Sequence, residues 1–329
     1  MRKFIIKRLL ISVGIMFFVT LIIYTLIRCL PASYVETMAM QLASAPGSKP
    51  YEEWIAQLNA SYGLDQPILV GYVHWLGDFL RGNFGDSWKF TVPVVDEFKS
   101  VIGVSFVMGA ISLVLQLVIA IPLGVVAATK QYSKSDYIIS ASALVGISLP
   151  TFFFATILKL IFAVKLGWFD THGLVGRTYA QLDAMGQLLD KSRHLVLPIA
   201  TLTIVSVGSL MRYTRTNMLE VLNADYIRTA RAKGVSEGKV IYHHAFRNTL
   251  IPLVTIVGGS LPGLFSGALI TETLFSIPGI GWASYQAMVA GDIPFSMFYL
   301  TFIAILTLLG NLISDILYAV VDPRVRIAS

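Results

Sequence analysis

"SVIGVSFVMGAISLVLQLVIAIPLGVVAAT", residues 100–129, contains no charged side chain. About 17 to 25 apolar residues are enough to cross the hydrocarbon of a bilayer as a helix. This run therefore decides the environment of the chain before any detail of its fold. Five more uncharged runs of similar length stand at residues 9–27, 137–158, 195–211, 248–271 and 293–314. A spanning segment has to satisfy its own backbone hydrogen bonds, and none of these runs alternates with the period of two that a barrel strand needs. The expectation is an all-α, polytopic membrane protein with six transmembrane helices.

Composition points the same way. The 329 residues are 55% hydrophobic and 13% charged, against about 25% charged in soluble domains, which excludes a water-soluble fold. The net charge of +6 raises the question of nucleic acid, but its distribution answers it. With six spans and the first residues inside, fifteen of the 25 Lys and Arg residues fall on inner segments and six on outer ones. That excess follows the positive-inside rule. Both termini are expected in the cytoplasm, and no nucleic-acid partner is needed. The opening "MRKFIIKR" has the basic character of a signal peptide, yet the apolar stretch after it exceeds the usual length of about 7–15 residues and is read as a retained first span. The single Cys29 excludes an internal disulfide and a Cys-based metal site.

Three regions are expected: an inner tail and first span (1–30), an external excursion with short helices (31–99), and a core transmembrane domain (100–329) with an inner loop at 212–247. In the excursion, the stretch from Tyr51 to Asn59 reads as an amphipathic helix, followed by punctuation at Gly63, Pro67, Gly82 and Gly85. "TLFSIPGIGWASYQAMVAG", 273–291, is uncharged, but Pro278, Gly279 and Gly281 break it, so a re-entrant or interfacial segment on the outer side is expected. Gly259, Gly263 and Gly267 recur every four residues in the fifth run. They form a small-residue face for close helix packing, a partner or a passage, with Pro262 loosening the helix.

Ionisable residues near apolar runs are candidates for function. Asp315 has Asn311 one turn away and suits either an internal hydrogen bond or a pathway role. Lys159 and Lys165 suit snorkelling. Glu272 and Asp292 flank the broken segment and face either substrate or water. A translocation path or gate is placed on Gly263, Ser266, Gly267, Glu272, Asp292 and Asp315. His243 and His244 are adjacent and lack the i, i+4 spacing of a two-His metal face, so no metal site is assigned.

The inner loop carries "DYIRTARAKGVSEGKVIYHHAFRN", 225–248. Asn223 suits an N-cap, Asp225 puts negative charge in the first turn, and Arg228, Arg231 and Lys233 put positive charge at the end. Gly234 suits the C′ position. A helix from about Ala224 to Lys233 is predicted, then a second helix capped by Ser236, with Glu237 in its first turn, running toward Pro252. Small Ala230 and Ala232 before a sharp turn make a knob suited to a partner's groove.

These residues carry a resemblance. The loop resembles the cytoplasmic EAA loop of ABC-importer permeases, in particular the B-type subunit of the oligopeptide, dipeptide and nickel branch. Against the general E-A-A…G…I-x-L-P pattern only Ala230 and Gly234 match strictly, with Phe246 a conservative change, whereas "YIRTARAKG" is close to the wording of the branch. "YGLDQP", "GNFGDS", "MLEVLNADYIRTARAKG", "ITETLFSIPGIG" and "DPRVR" are similar to its signatures and stand in its usual order. Asn83 stands where the branch usually has Asp.

The resemblance implies a type I ABC importer permease (MetI-like) fold in the cytoplasmic membrane of a prokaryote. It implies a second permease subunit, two ABC ATPase subunits, an external solute-binding protein and a peptide-class substrate. It places ATPase coupling on Asp225, Tyr226, Arg228, Thr229, Ala230, Arg231, Ala232, Lys233 and Gly234. The chain has no G-x-x-x-x-G-K-[ST] motif, so ATP and Mg2+ are expected on partner subunits and no cofactor or enzymatic activity on this one. The alternative is a proton-coupled secondary transporter acting alone through Asp315 or Glu272, which predicts internal repeats that the sequence does not show. A membrane scaffold without a passage would leave residues 273–291 without a purpose.

Overall fold

The computed structural model describes residues 2–29 and 34–321. The "DPRVR" signature, with Arg324 and Arg326, lies outside the described residues. In chain order the helices are α1 (Arg2–Arg28), α2 (Tyr34–Ala43), α3 (Tyr51–Ser61), α4 (Ile68–Leu80), α5 (Val94–Thr129), α6 (Lys134–Ser148), α7 (Thr151–Leu158), α8 (Ala184–Leu222), α9 (Asp225–Ala232), α10 (Glu237–Lys239), α11 (Phe246–Gly259), α12 (Leu261–Phe265), α13 (Leu269–Phe275), α14 (Ile280–Val289) and α15 (Ile293–Val321). Two π-helical stretches, Lys159–Lys165 and Val240–Ala245, continue α7 and join α10 to α11. Among the described residues the extended pairing is confined to one bridge, Asp86 with Pro93. The fold is all-α.

Helices α1, α5, α8 and α15 are long and apolar enough to cross a membrane, at four of the six predicted places. The other two differ from expectation, and proline explains both. The third run is bent by 104° between α6 and α7, because Leu149 precedes Pro150 and is pushed to extended backbone at ψ 136. The fifth run, expected as one span over 248–271, is broken into α11, α12 and α13. Pro262 has no N–H to return to the Gly258 carbonyl, and Gly267 ends α12 at φ +75. Gly259, Gly263 and Gly267 therefore do not share one continuous helical face. By length and composition the described residues supply four spans, or five with the bent pair counted as one, and the sixth predicted helix is not present as a single rod.

The chain divides into two compact units, Met1–Gly103 with Ile280–Leu309, and Val104–Gly279 with Gly310–Ser329. In the first, α2 packs on α3 through Val35, Ala39 and Leu58, flanked by Trp54 and Trp88. The expected helix from Tyr51 is α3. α1 and α4 meet at Gly71, where a β-carbon would lie 2.3 Å from the Tyr24 hydroxyl. The Thr20 and Tyr72 hydroxyls are 2.9 Å apart at the same contact. Arg28, the last residue of α1, donates to the Leu64 carbonyl (2.7 Å), the Gln66 carbonyl (3.1 Å) and the Tyr24 hydroxyl (3.1 Å). The "YGLDQP" stretch is thus tied to the end of α1 by one guanidinium.

In the second unit, Ala120, Ala143, Leu210, Met211 and Leu253 form the buried centre where α5, α6, α8 and α11 meet. Lipid tails are as apolar as leucine, so close packing rather than exclusion of water holds such helices together. Glycine supplies the closeness: a β-carbon at Gly208 would lie 2.6 Å from the Ala143 carbonyl, and one at Gly124 would lie 2.6 Å from Thr214.

Candidate functional site

The loop expected at 212–247 starts later, because α8 continues to Leu222. α9 is fastened by one side chain, Ile227, which is fully buried among Val125, Met218, Val240 and Ala245. Around it Asp225, Tyr226, Arg228, Thr229, Arg231, Ala232, Lys233 and Gly234 are exposed and Ala230 is half-buried. The helix closes as the sequence predicts: Gly234 sits at φ +76, its N–H donates to the Arg231 carbonyl at 2.9 Å, and the Val235 N–H donates to the Ala230 carbonyl at 3.2 Å. This pair of bonds is the Schellman motif, and Val235 and Ala230 pack on the same apolar cluster below it. Across the turn Arg231 donates to both carboxylate oxygens of Glu237, at 2.7 and 3.1 Å. That guanidinium holds the Glu237 carboxyl below the usual carboxylate range.

Two capping expectations are corrected. Asn223 is not an N-cap: α8 runs on to Leu222, so Asn223 closes that helix and its Nδ2 donates back to the Leu219 carbonyl at 3.0 Å. Ala224 takes the N-cap position of α9 with no side-chain bond. Ser236 stands at the N-cap of α10 but makes no capping bond through its side chain. His243 and His244 stack edge to face, and no group of three or more His, Cys, Asp or Glu suited to a metal occurs among the described residues.

The predicted path residues separate. Gly263 and Gly267 line a cavity of about 250 Å³, together with residues of α5 and α8. Ser266 lies next to it, its hydroxyl donating to the Gly263 carbonyl at 3.2 Å. Asp315 lies half-buried in α15. Glu272 and Asp292 are both fully buried, so neither carboxylate faces substrate or water in this structure. Glu272 accepts from the Ser105 hydroxyl at 2.7 Å and the Ala268 N–H at 2.9 Å. Asp292 precedes α15 and accepts from the Phe295 N–H (3.1 Å), the Lys89 N–H (3.0 Å) and the Ser87 hydroxyl. It caps α15 and ties down the turn at 86–93. Lys159 does not snorkel freely: its Nζ donates to the Leu274 carbonyl at 2.8 Å and lies 5.8 Å from the centre of the Phe275 ring.

Two polar clusters had no signal in the sequence reading. Asp136 at the start of α6 is buried and accepts two bonds of 2.8 Å from Arg215 of α8, with further bonds from the Tyr132 N–H and the Ser140 hydroxyl. His194 is buried in α8 with Nε2 3.5 Å from Asp170 and Nδ1 2.8 Å from the Asp190 carbonyl. Partners 79 residues apart leave no local pattern. The available signal was an acidic and a basic residue at matching ends of neighbouring apolar runs.

The described residues thus combine apolar helices, a small exposed helix and a serine-lined cavity. The chain belongs to the family of binding-protein-dependent transport system inner membrane components, matched over residues 120–327, with that family's N-terminal part matched over residues 1–107. It is 36% identical, over 99% of its length and 100% of the relative's, to the oligopeptide transport system permease protein AppB of Bacillus subtilis. It is 33% identical, over 99% of its length and 100% of the relative's, to the oligopeptide transport system permease protein OppB of Haemophilus influenzae. It is 34% identical, over 99% of both chains, to the di/tripeptide transport system permease protein DppB of Pseudomonas aeruginosa. This is a multi-pass permease subunit of an ABC importer and not itself an ATPase. A proton-coupled transporter acting alone finds no support in this membership.

Proposed function

We propose that the chain forms, with a second permease, the path by which oligopeptides or dipeptides delivered by an external solute-binding protein cross the cytoplasmic membrane of a prokaryote. Both termini lie in the cytoplasm, and ATP and Mg2+ act on two partner ATPase subunits. The exposed face of α9, from Asp225 to Gly234, is the surface an ATPase holds. The observation that carries this is the construction of α9, fixed by Ile227 beneath and open on its remaining sides. A helix so mounted passes a push from a docked partner into α8 and the π-helical stretch, as rigid-body switching between two states requires. Buried Glu272 and Asp292 hold the walls, and Gly263, Ser266 and Gly267 belong to the passage. Asp315 of α15 is assigned to the passage with them.

Gly234 offers a test in two grades. No atom lies within 4 Å of a β-carbon placed there, so Gly234→Ala is expected to cost only the left-handed backbone strain of about 1–2 kcal/mol. Gly234→Arg adds bulk on the docking surface. In the assembled importer it is expected to insert normally while ATP-driven peptide uptake falls about tenfold or more, the size of a typical coupling free energy. Uptake at the wild-type rate with Gly234→Arg would overturn the assignment of α9.

A further inference from the structure

The cavity beside α12 is built rather than left over. A β-carbon at Gly109 of α5 would lie 3.1 Å from the Leu264 Cα, and Phe106 stacks on Phe265 at 4.8 Å, so backbone and rings close its floor. Its lining is serine, glycine, glutamine, alanine and leucine, and none of the lining residues is ionisable. The serine hydroxyl protons point at this chain's own acceptors. Ser105 donates to Glu272, Ser112 to the Ile199 carbonyl, Ser206 to the Leu202 carbonyl and Ser260 to the Ile256 carbonyl. Gln116 donates one Nε2 hydrogen to the Ser206 carbonyl at 3.0 Å, a bond that orients the amide and leaves Oε1 as an acceptor. With the serine hydroxyl protons engaged, the chamber presents mainly oxygen lone pairs and no ionisable lining side chain.

We infer that this chamber is a transit subsite for peptide main chain, in which Gln116 Oε1 and the serine oxygens accept the amide N–H groups. Every residue of a peptide except proline carries such a donor whatever its side chain. An acceptor-lined, charge-free, small-residue wall therefore engages the common part of all peptides and stays indifferent to side-chain charge. A carboxylate in the wall would reject acidic peptides and an ammonium would reject basic ones. Glu272 stands behind this wall, fully buried, with Oε1 taken up by the lining Ser105 hydroxyl and Ala268 N–H rather than itself lining the chamber. The inference rests on the peptide-importer reading above and adds which chemical group the permease itself reads.

The experiment uses the complete importer in proteoliposomes and the probes Ala-Glu-Ala, Ala-Ala-Ala and Ala-Lys-Ala, with uptake normalised to the affinity of the binding protein for each. Gly263 lines the chamber with open space around its missing β-carbon, so substitutions there are accommodated. Wild type is expected to move the three peptides at normalised rates within about threefold of one another, well inside the tenfold that 1.4 kcal/mol would produce. Gly263→Asp is expected to slow Ala-Glu-Ala about tenfold relative to Ala-Lys-Ala, and Gly263→Lys to reverse that order, as two like charges brought together in a low-dielectric site require. Gln116→Met, which keeps length and removes the acceptor, is expected to slow all three alike. If the wild-type importer takes up peptides but neither Gly263 variant changes the acidic-to-basic ratio, the subsite is wrong and the importer reading stands. If wild type takes up none of the three, both fail.

Discussion

Replacing Arg215 by alanine is expected to destabilise the second unit by about 3–5 kcal/mol, the usual cost of leaving a buried charge without its partner. The carboxylate of Asp136 receives both guanidinium bonds at 2.8 Å and is 3% exposed as a residue, while the Arg215 side chain is 25% exposed, so water entering the vacated space holds the loss toward the lower end of that range. Thermal unfolding of the purified chain in detergent would show the loss as a lowered midpoint. The combined variant Asp136→Asn, Arg215→Met removes both charges and is expected to recover most of the stability, because a neutral pair carries no desolvation penalty. A midpoint for Arg215→Ala equal to that of wild type would mean that the pair is an ornament of the surface. The expected effect extends to coupling. Arg215 lies in the last two turns of α8 before the chain enters α9, so under the proposed coupling role of α9 the ion pair is expected to carry its movement to α6.

How much of this was legible in the sequence depended on how local each cause is. Length without charge marked α1, α5, α8 and α15, since crossing a bilayer is a property of one contiguous segment. The same measure misread residues 248–271, where it counted apolar residues and underweighted Pro262 and the left-handed Gly267 acting together; a proline alone does not decide it, since α5, α8 and α11 run on through Pro122, Pro198 and Pro252. Leu149 and Pro150 carried an equally plain signal for the bend of the third run. The end of α9 was readable because Gly234 solves a single-residue problem, a left-handed backbone at C′. Its start was not: Asn223 has the right side chain, but whether it caps the next helix or closes the last depends on how far α8 continues, and packing decides that. The carboxylates of Glu272 and Asp292 were found as residues but their burial and bonds were not, because the Ser105 and Ser87 hydroxyls that hold them come from positions 167 and 205 residues away. Asp136 with Arg215 and His194 with Asp170 are invisible for the same reason.

Gly279→Ala is the sharper test of the role now given to Glu272. Gly279 does not occupy the left-handed region, so its requirement is space. An added β-carbon would lie 2.4–2.6 Å from the carboxyl atoms of Glu272, well inside any tolerable contact. The carboxylate cannot swing into water, being fully buried, and moving it breaks the bonds from Ser105 and the Ala268 N–H. Overpacking costs about 1–3 kcal/mol and an orphaned buried partner about 1–3 more. Gly279→Ala is therefore expected to lower the unfolding midpoint strongly and to reduce the amount of assembled importer. Glu272→Ala in the same chain clears the space and is expected to restore part of the loss, so the two changes together cost less than their sum. Glu272→Gln alone keeps an Oε1 for both bonds and is expected to cost less than about 1 kcal/mol and to leave peptide uptake intact. Full stability of Gly279→Ala would remove the pin, whereas loss of uptake in a stable Glu272→Gln chain would return Glu272 to the passage. The two variants thus separate a carboxylate that holds the wall from one that works in the path.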